Sequence, residues 1–257
     1  MNRSDFRNGI ALVAGGSGGL GASICRLLAK VGVDIAFTYF RNEITAKELV
    51  NELESAGVRA MAIRMDLADL ESVKAGVETV RAKFGDPSTL IYAAGPQLHF
   101  RYIVNIEPDL FHRTMKQDVD GFYNLVSSVL PILREERGAL VALATPAIQK
   151  YTKKDILSIA PKAAVHAIVK GIAVEEGRYG VRANSVGVGL VGDAGLFESL
   201  KENGSIDDKF MKATYERVPL ARLGKSSEIA EAVIFLASEK ASFITGNILM
   251  ADGGLSA

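Results

Sequence analysis

Ile10-Ala-Leu-Val-Ala-Gly-Gly-Ser-Gly-Gly-Leu-Gly21 is the stretch that decides how this chain is read. A short apolar run, long enough for one buried strand, breaks into five glycines within residues 15–21. A helical pattern (Ile24, Leu27, Leu28, Val31) follows at once. Strand, glycine turn and helix together let backbone N–H groups and a helix N-terminus meet a pyrophosphate with no Cβ in the way. Two registers fit: Gly16, Gly18 and Gly21 give G-x-G-x-x-G, while Gly15, Gly19 and Gly21 give G-x-x-x-G-x-G. Either match alone is weak, since a glycine-rich turn is often only a turn. At the end of the first strand of an α/β chain, the nucleotide reading outweighs the plain one.

Outward from that stretch the pattern repeats. Val33–Phe40, Arg59–Met65 and Thr89–Ala94 read as strands, and Glu43–Ala56 and Leu70–Phe84 as helices. Gly32, Gly57 and Gly85 each stand between a helix and the next strand, where a left-handed residue closes the helix. Ile10–Ala14, Leu90–Ala94 and Leu140–Ala144 are apolar on both faces, as in a parallel sheet covered by helices on both sides. No Pro/Ser-rich linker divides the 257 residues, so the expected architecture is one α/β domain with a doubly wound, Rossmann-like parallel sheet. From Glu107 to about Arg134, Phe111, Met115, Val119, Phe122, Val126 and Val129 share one helical face. From Ser158 to Tyr179 the helix is apolar nearly all round, so a second subunit is expected to cover what the sheet does not. Leu190–Tyr215 reads as a lid-like excursion with helical turns; the helix Ser227–Ser238 and a strand ending in Asp252-Gly-Gly254 close the chain.

Composition narrows the function. Thirty acidic against thirty basic side chains leave no positive excess for nucleic acid. Cys25 is the single cysteine, which excludes an internal disulfide and suits a small core residue. No apolar run approaches the ~20 residues of a membrane span, and the first residues lack an apolar signal, so a reducing cytoplasmic compartment is expected.

The glycine stretch, Met65-Asp66-Leu67, Tyr92-Ala-Ala-Gly95, Gly138–Thr145, Ser158–Lys162, Arg182-Ala-Asn-Ser-Val186, and Ile244-Thr-Gly246 with Asp252-Gly-Gly254 occur in the order of the short-chain dehydrogenase/reductase family, which the chain resembles over almost its full length. The resemblance implies a seven-stranded sheet, bound NAD(H) or NADP(H), and a homo- or hetero-tetramer built on the helices at about 107–134 and 158–179. It places Gly15, Ser17, Gly18, Gly19, Leu20 and Gly21 around the pyrophosphate, Asp66 and Leu67 by the adenine, and Ala93, Ala94 and Gly95 by its ribose. The carboxylate that accepts the 2′-OH of NAD is missing from Thr38-Tyr39-Phe40-Arg41. Arg41 suits a 2′-phosphate, which favours NADP(H) over NAD(H).

The reaction centre departs from the family's Asn, Ser, Tyr and Lys. Alignment on Lys162 puts Ser158 at the tyrosine, Thr145 at the serine and Asp118 at the asparagine. A phenol starts near pKa ~10 and must fall by about 3 to work near neutrality. An alkyl hydroxyl starts near ~16, so the requirement is on the order of 12 kcal/mol against about 4. A neighbouring lysine supplies too little of that difference. Tyr151 reads as a loop aromatic, and the position seven before the lysine, a tyrosine in related enoyl reductases, is Asp155. Dienoyl-CoA reductases also carry serine at the tyrosine position, but their supporting Tyr and Asn match Ala147 and Asp120 here. His99, His112 and His166 lack metal spacing, so no metal site is expected. Asp193, in place of a carboxamide-binding threonine, is expected to repel an anionic cofactor and weaken or abolish its binding.

These departures lead to the expectation of a catalytically silent or impaired subunit that pairs with an active relative, in a setting such as acyl-CoA oxidation. The alternatives are an atypical NADP(H)-dependent reductase of dienoyl-CoA type using Lys162 and Ser158, and a non-enzymatic NADP(H)-binding regulator.

Overall fold

The computed structural model describes residues 1–95, 100–194 and 208–257. Seven parallel strands lie in the order β3-β2-β1-β4-β5-β6-β7: β1 Ile10–Ala14, β2 Ile35–Tyr39, β3 Ala60–Arg64, β4 Pro87–Tyr92, β5 Ala139–Ala144, β6 Arg182–Val188 and β7 Ile248–Ala251. Among the described residues the α-helices are α1 Gly19–Lys30, α2 Glu43–Ser55, α3 Leu70–Phe84, α4 Pro108–Met115, α5 Gly121–Glu136, α6 Ile156–Glu176, α7 Asp208–Arg217 and α8 Ser226–Ala237. The single doubly wound α/β domain read from the sequence is the observed one. Strands expected at Val33–Phe40 and Arg59–Met65 are slightly shorter, and that at Thr89–Ala94 starts earlier and ends at Tyr92.

The alternation of strand side chains explains why the central strands carry no polar face. Ala11 and Val13 of β1 join Ile91, Val141 and Val186 in one core, closed by α1, α2 and α8. Ile10, Leu12 and Ala14 join Leu90, Leu140 and Ala142 in the other, under α3, α5 and α6. Gly32, Gly57 and Gly85 have φ of +83°, +93° and +116°, so each reverses the chain where a side chain would be strained. The winding direction changes between β1 and β4, and a crevice opens beyond their carboxyl ends.

Three expectations need correction. The helix expected over 107–134 is broken: a π-helical turn at Lys116–Asp120 separates α4 from α5. That turn inserts a residue into the helical count and carries Asp118 into the interior, where its carbonyl accepts a hydrogen bond from the Tyr92 hydroxyl at 3.0 Å. The helix expected from Ser158 starts two residues earlier, at Ile156, and Tyr179 lies in a 3-10 turn after it. That helix with its following turn is also long and apolar enough by composition to cross a membrane. Here Leu157, Val165, Val169 and Ile172 bury its inner face in the protein core, against β5 and β6. Of the excursion at 190–215, residues 195–207 lie outside the described residues, as does His99; α7 occupies its end.

Candidate functional site

The glycine loop is built by close approach. Gly15 has φ +75°, and a Cβ there would lie 2.8 Å from Ala94 Cα. A Cβ on Gly21 would sit 2.1 Å from the Gly15 carbonyl oxygen, and one on Gly16 2.4 Å from Phe37 Cβ. Gly18 and Gly19, by contrast, are exposed. Gly18 is the N-cap of α1 and offers no side chain to the first amides of that helix. Bare amides at a helix N-terminus, behind a loop too tight for side chains, fit a pyrophosphate. Thr38 Oγ1 accepts a hydrogen bond from the Gly15 amide at 2.9 Å and holds the loop to β2. Ser17 and Leu20 complete the turn, and Leu20 also borders the cavity described below.

The other expected cofactor residues flank this loop. Ala93, Ala94 and Gly95 follow β4 across the crevice and line the cavity. Asp66 follows β3; its Oδ1 accepts from the Ala68 amide at 3.0 Å, so part of its carboxylate is spent on its own turn. The Leu67 carbonyl accepts from Asn124 Nδ2 at 3.0 Å, which ties that turn to α5. Arg41 is exposed just past β2. Arg64, aligned with Tyr39 across the β2–β3 pair, adds a second cation to the same end of the sheet. Asp193 is engaged elsewhere: Oδ1 accepts from the Ser226 amide at 2.7 Å and Oδ2 from its hydroxyl at 3.2 Å. That carboxylate lies at the N-terminus of α8, where the helix dipole offsets part of its charge.

A cavity of about 990 Å³ runs from Leu20, Ala93 and Gly95 to the start of α6. Asp118, Thr145, Ser158 and Lys162 all line it, so the fold brings together the four residues aligned with the family's tetrad. Their bonding is unusual. Lys162 Nζ donates to Asp118 Oδ1 at 2.9 Å and to the Ala94 carbonyl at 3.1 Å, and it lies 5.3 Å from the centre of the Tyr92 ring. The Asp118 side chain is 0% exposed and that of Lys162 14% exposed. Asp118 Oδ2 has no hydrogen-bond partner among the described residues. Thr145 Oγ1 accepts from the Ala147 amide at 3.2 Å and caps the short turn after β5. Pro161, inside α6, withholds the amide that would bond the Leu157 carbonyl.

Asp155 was passed over in sequence and is the residue the structure adds. It lines the same cavity one helical turn before Ser158, and burial alone pushes its carboxyl up to about 6. Its only signal in sequence was its place seven residues before Lys162. Tyr151 also lines the cavity but remains exposed. His166 Nδ1 lies 3.0 Å from Ser185 Oγ, a packing role as expected, and His112 is exposed.

Residues 14–256 match the family model described as enoyl-(acyl carrier protein) reductase. This chain is a short-chain dehydrogenase/reductase. Among relatives of the family, the 3-oxoacyl-[acyl-carrier-protein] reductase of Staphylococcus aureus (strain Mu50) is 30% identical over 247 residues, 95% of this chain and 97% of that one. An uncharacterized oxidoreductase of Bacillus subtilis (strain 168) is 32% identical over 251 residues, 96% of this chain and 98% of the other. Among solved structures of short-chain dehydrogenase/reductases, a gluconate 5-dehydrogenase from Burkholderia cenocepacia J2315, in complex with NADP and tartrate, superposes with a TM-score of 0.89. It is 27% identical and covers 99% of this chain and 98% of its own.

Proposed function

We propose that the protein is an NADP(H)-dependent oxidoreductase that reduces an anionic carbonyl or conjugated acyl compound without a phenolic proton donor. The observation that carries this reading is the cavity, which joins the end of the glycine loop to Lys162, Ser158 and Asp155 in one space. When bound, the nicotinamide supplies hydride chemistry. The amides of α1 hold its pyrophosphate, and Arg41 with Arg64 favours the 2′-phosphate. Lys150, Lys153, Lys154 and Arg217 border the cavity, so its wall suits a substrate carrying carboxylate or phosphate. The names of the relatives point the same way, to acyl thioesters and sugar acids. A buried free Cys25 agrees with a reducing, cytoplasmic setting.

Fluorescence titration with NADPH and NADH tests the cofactor half, with tighter binding of NADPH expected. NADPH consumption with acetoacetyl-CoA, a 2-enoyl-CoA and a 2,4-dienoyl-CoA tests the reaction. Failure to bind either nucleotide refutes the proposal.

A specific observation favours a second reading, a silent subunit in a mixed oligomer. The Asp118 carboxylate neutralises the Lys162 ammonium at 2.9 Å, so the lysine has little charge left to activate a neighbour. On the outer faces of α5 and α6, Tyr123 and Val174 are 59% and 83% exposed, which leaves apolar surface for another family subunit. Co-expression with the product of a neighbouring gene separates the two. Stable co-assembly, with turnover unchanged by Lys162→Ala in this chain alone, supports the silent subunit.

A further inference from the structure

Reduction of a carbonyl needs a proton as well as a hydride, and Ser158 is too weak an acid to originate it. Asp155, Ser158 and Lys162 stand at i, i+3 and i+7 of one helix, and all three line the cavity. Asp155 is the N-cap residue of α6, where an aspartate side chain ordinarily accepts an amide hydrogen bond. Here the side chain caps nothing. Its backbone carbonyl accepts the amides of Ser158 and Ile159 at 3.0 and 2.9 Å, and the residue lines the cavity. The preceding residue, Lys154, has φ +69°, a conformation that L residues avoid and that clusters at functional sites. Its carbonyl accepts the Arg101 amide at 3.0 Å, and its ammonium lies 4.9 Å from the Tyr102 ring centre.

We infer that Asp155 is the proton source of this site and that the Ser158 hydroxyl passes its proton to the substrate oxygen. The inference rests on the reductase reading above. A bound reduced nicotinamide would supply hydride to the carbonyl carbon, so the site's own residues would have to deliver a proton to the oxygen that receives the C=O π pair. That oxygen takes the Ser158 proton as Ser158 takes that of Asp155. Asp155 is left as a carboxylate and regains a proton from water at the cavity mouth. The sum is one carbonyl, one reduced nicotinamide and one proton giving one alcohol and one oxidised nicotinamide. A serine in this relay never has to exist as a free alkoxide, which removes the obstacle its high pKa raises.

Among the described residues, the other ionisable groups around the cavity are Lys150, Tyr151, Lys153 and Lys154 from the loop, Lys162 on the same helix, Asp118 from the π-turn and Arg217 from α7. Loss of water outweighs them, and it holds the Asp155 carboxyl up at about 6, where it is partly protonated near neutrality.

The test uses the whole chain with NADPH and whichever of the three acyl-CoA probes the wild type reduces. Asp155→Asn is expected to lose at least 100-fold in kcat with NADPH affinity unchanged, and Asp155→Glu to recover part of the loss. Ser158→Ala should fall similarly, and the double variant little further, because the two act as one relay. Wild-type reduction should decline tenfold per pH unit above about 6, and Asp155→Asn should lack that limb. Independently of turnover, infrared difference titration of wild type against Asp155→Asn should show a carboxyl with its midpoint near 6. A midpoint in the ordinary carboxylate range overturns the proposal. An active wild type with Asp155→Asn within threefold of it overturns the proposal alone, whereas a wild type inactive on all three probes overturns the reductase reading and this inference with it.

Discussion

Replacement of Lys162 by methionine exposes what the buried pair contributes to the fold. Methionine keeps an unbranched apolar stem and removes the ammonium. Asp118, 0% exposed, then has no cation at Oδ1, and Oδ2 already lacks a partner among the described residues. Breaking a buried ion pair on one side costs about 3–5 kcal/mol, because the surviving charge stays desolvated. In a chain of this size each kcal/mol moves Tm by about 2–4 °C, so Lys162→Met should lower it by roughly 10 °C. Asp118→Asn should cost less, since Lys162 keeps the Ala94 carbonyl and some water. In Asp118→Asn/Lys162→Met no charge remains buried, and about 2 kcal/mol or more of the single-variant loss should return. Thermal and urea unfolding of the four proteins give the coupling directly. A Lys162→Met protein melting within about 2 °C of wild type, or losses that simply add, would refute the claim that this lysine serves the fold as well as the site.

Gly21→Ala should abolish nucleotide binding and lower stability, since its Cβ would lie 2.1 Å from the Gly15 carbonyl oxygen; fluorescence titration and thermal unfolding check both. Arg41→Ala with Arg64→Ala should weaken NADPH binding by roughly tenfold while leaving NADH unchanged, the loss of a charge-assisted phosphate contact; calorimetry with both nucleotides reads it. Asp155→Asn should be more stable than wild type at pH 8 and equal to it below about pH 4. The folded carboxyl titrates near 6 against 3.8 as a free side chain, so wild-type stability declines as pH rises through that window. Because Asp155 is only partly buried, the gain should be on the order of 1 kcal/mol, read from urea unfolding at both pH values.

What the amino-acid order determined by itself is the part of this protein made by neighbours in the chain. Runs such as Ile10–Ala14 and Leu140–Ala144, glycines at the ends of helices and the spacing of Leu70–Phe84 follow from local sterics and periodicity. They were enough for the parallel sheet, the single domain and the tight glycine loop after β1. The residues aligned with the tetrad were also legible, and they do meet in one cavity. Their state was not. The pairing of Asp118 with Lys162 joins positions 44 residues apart, and it depends on a π-turn that no periodicity announces. The same holds for Asp193, which bonds Ser226 across 33 residues of chain, and for Asp155, an ordinary-looking aspartate until the surrounding chain takes much of its water away. Burial and partnership set the charge of a side chain, and both are properties of the packed molecule, decided only when distant segments close around it.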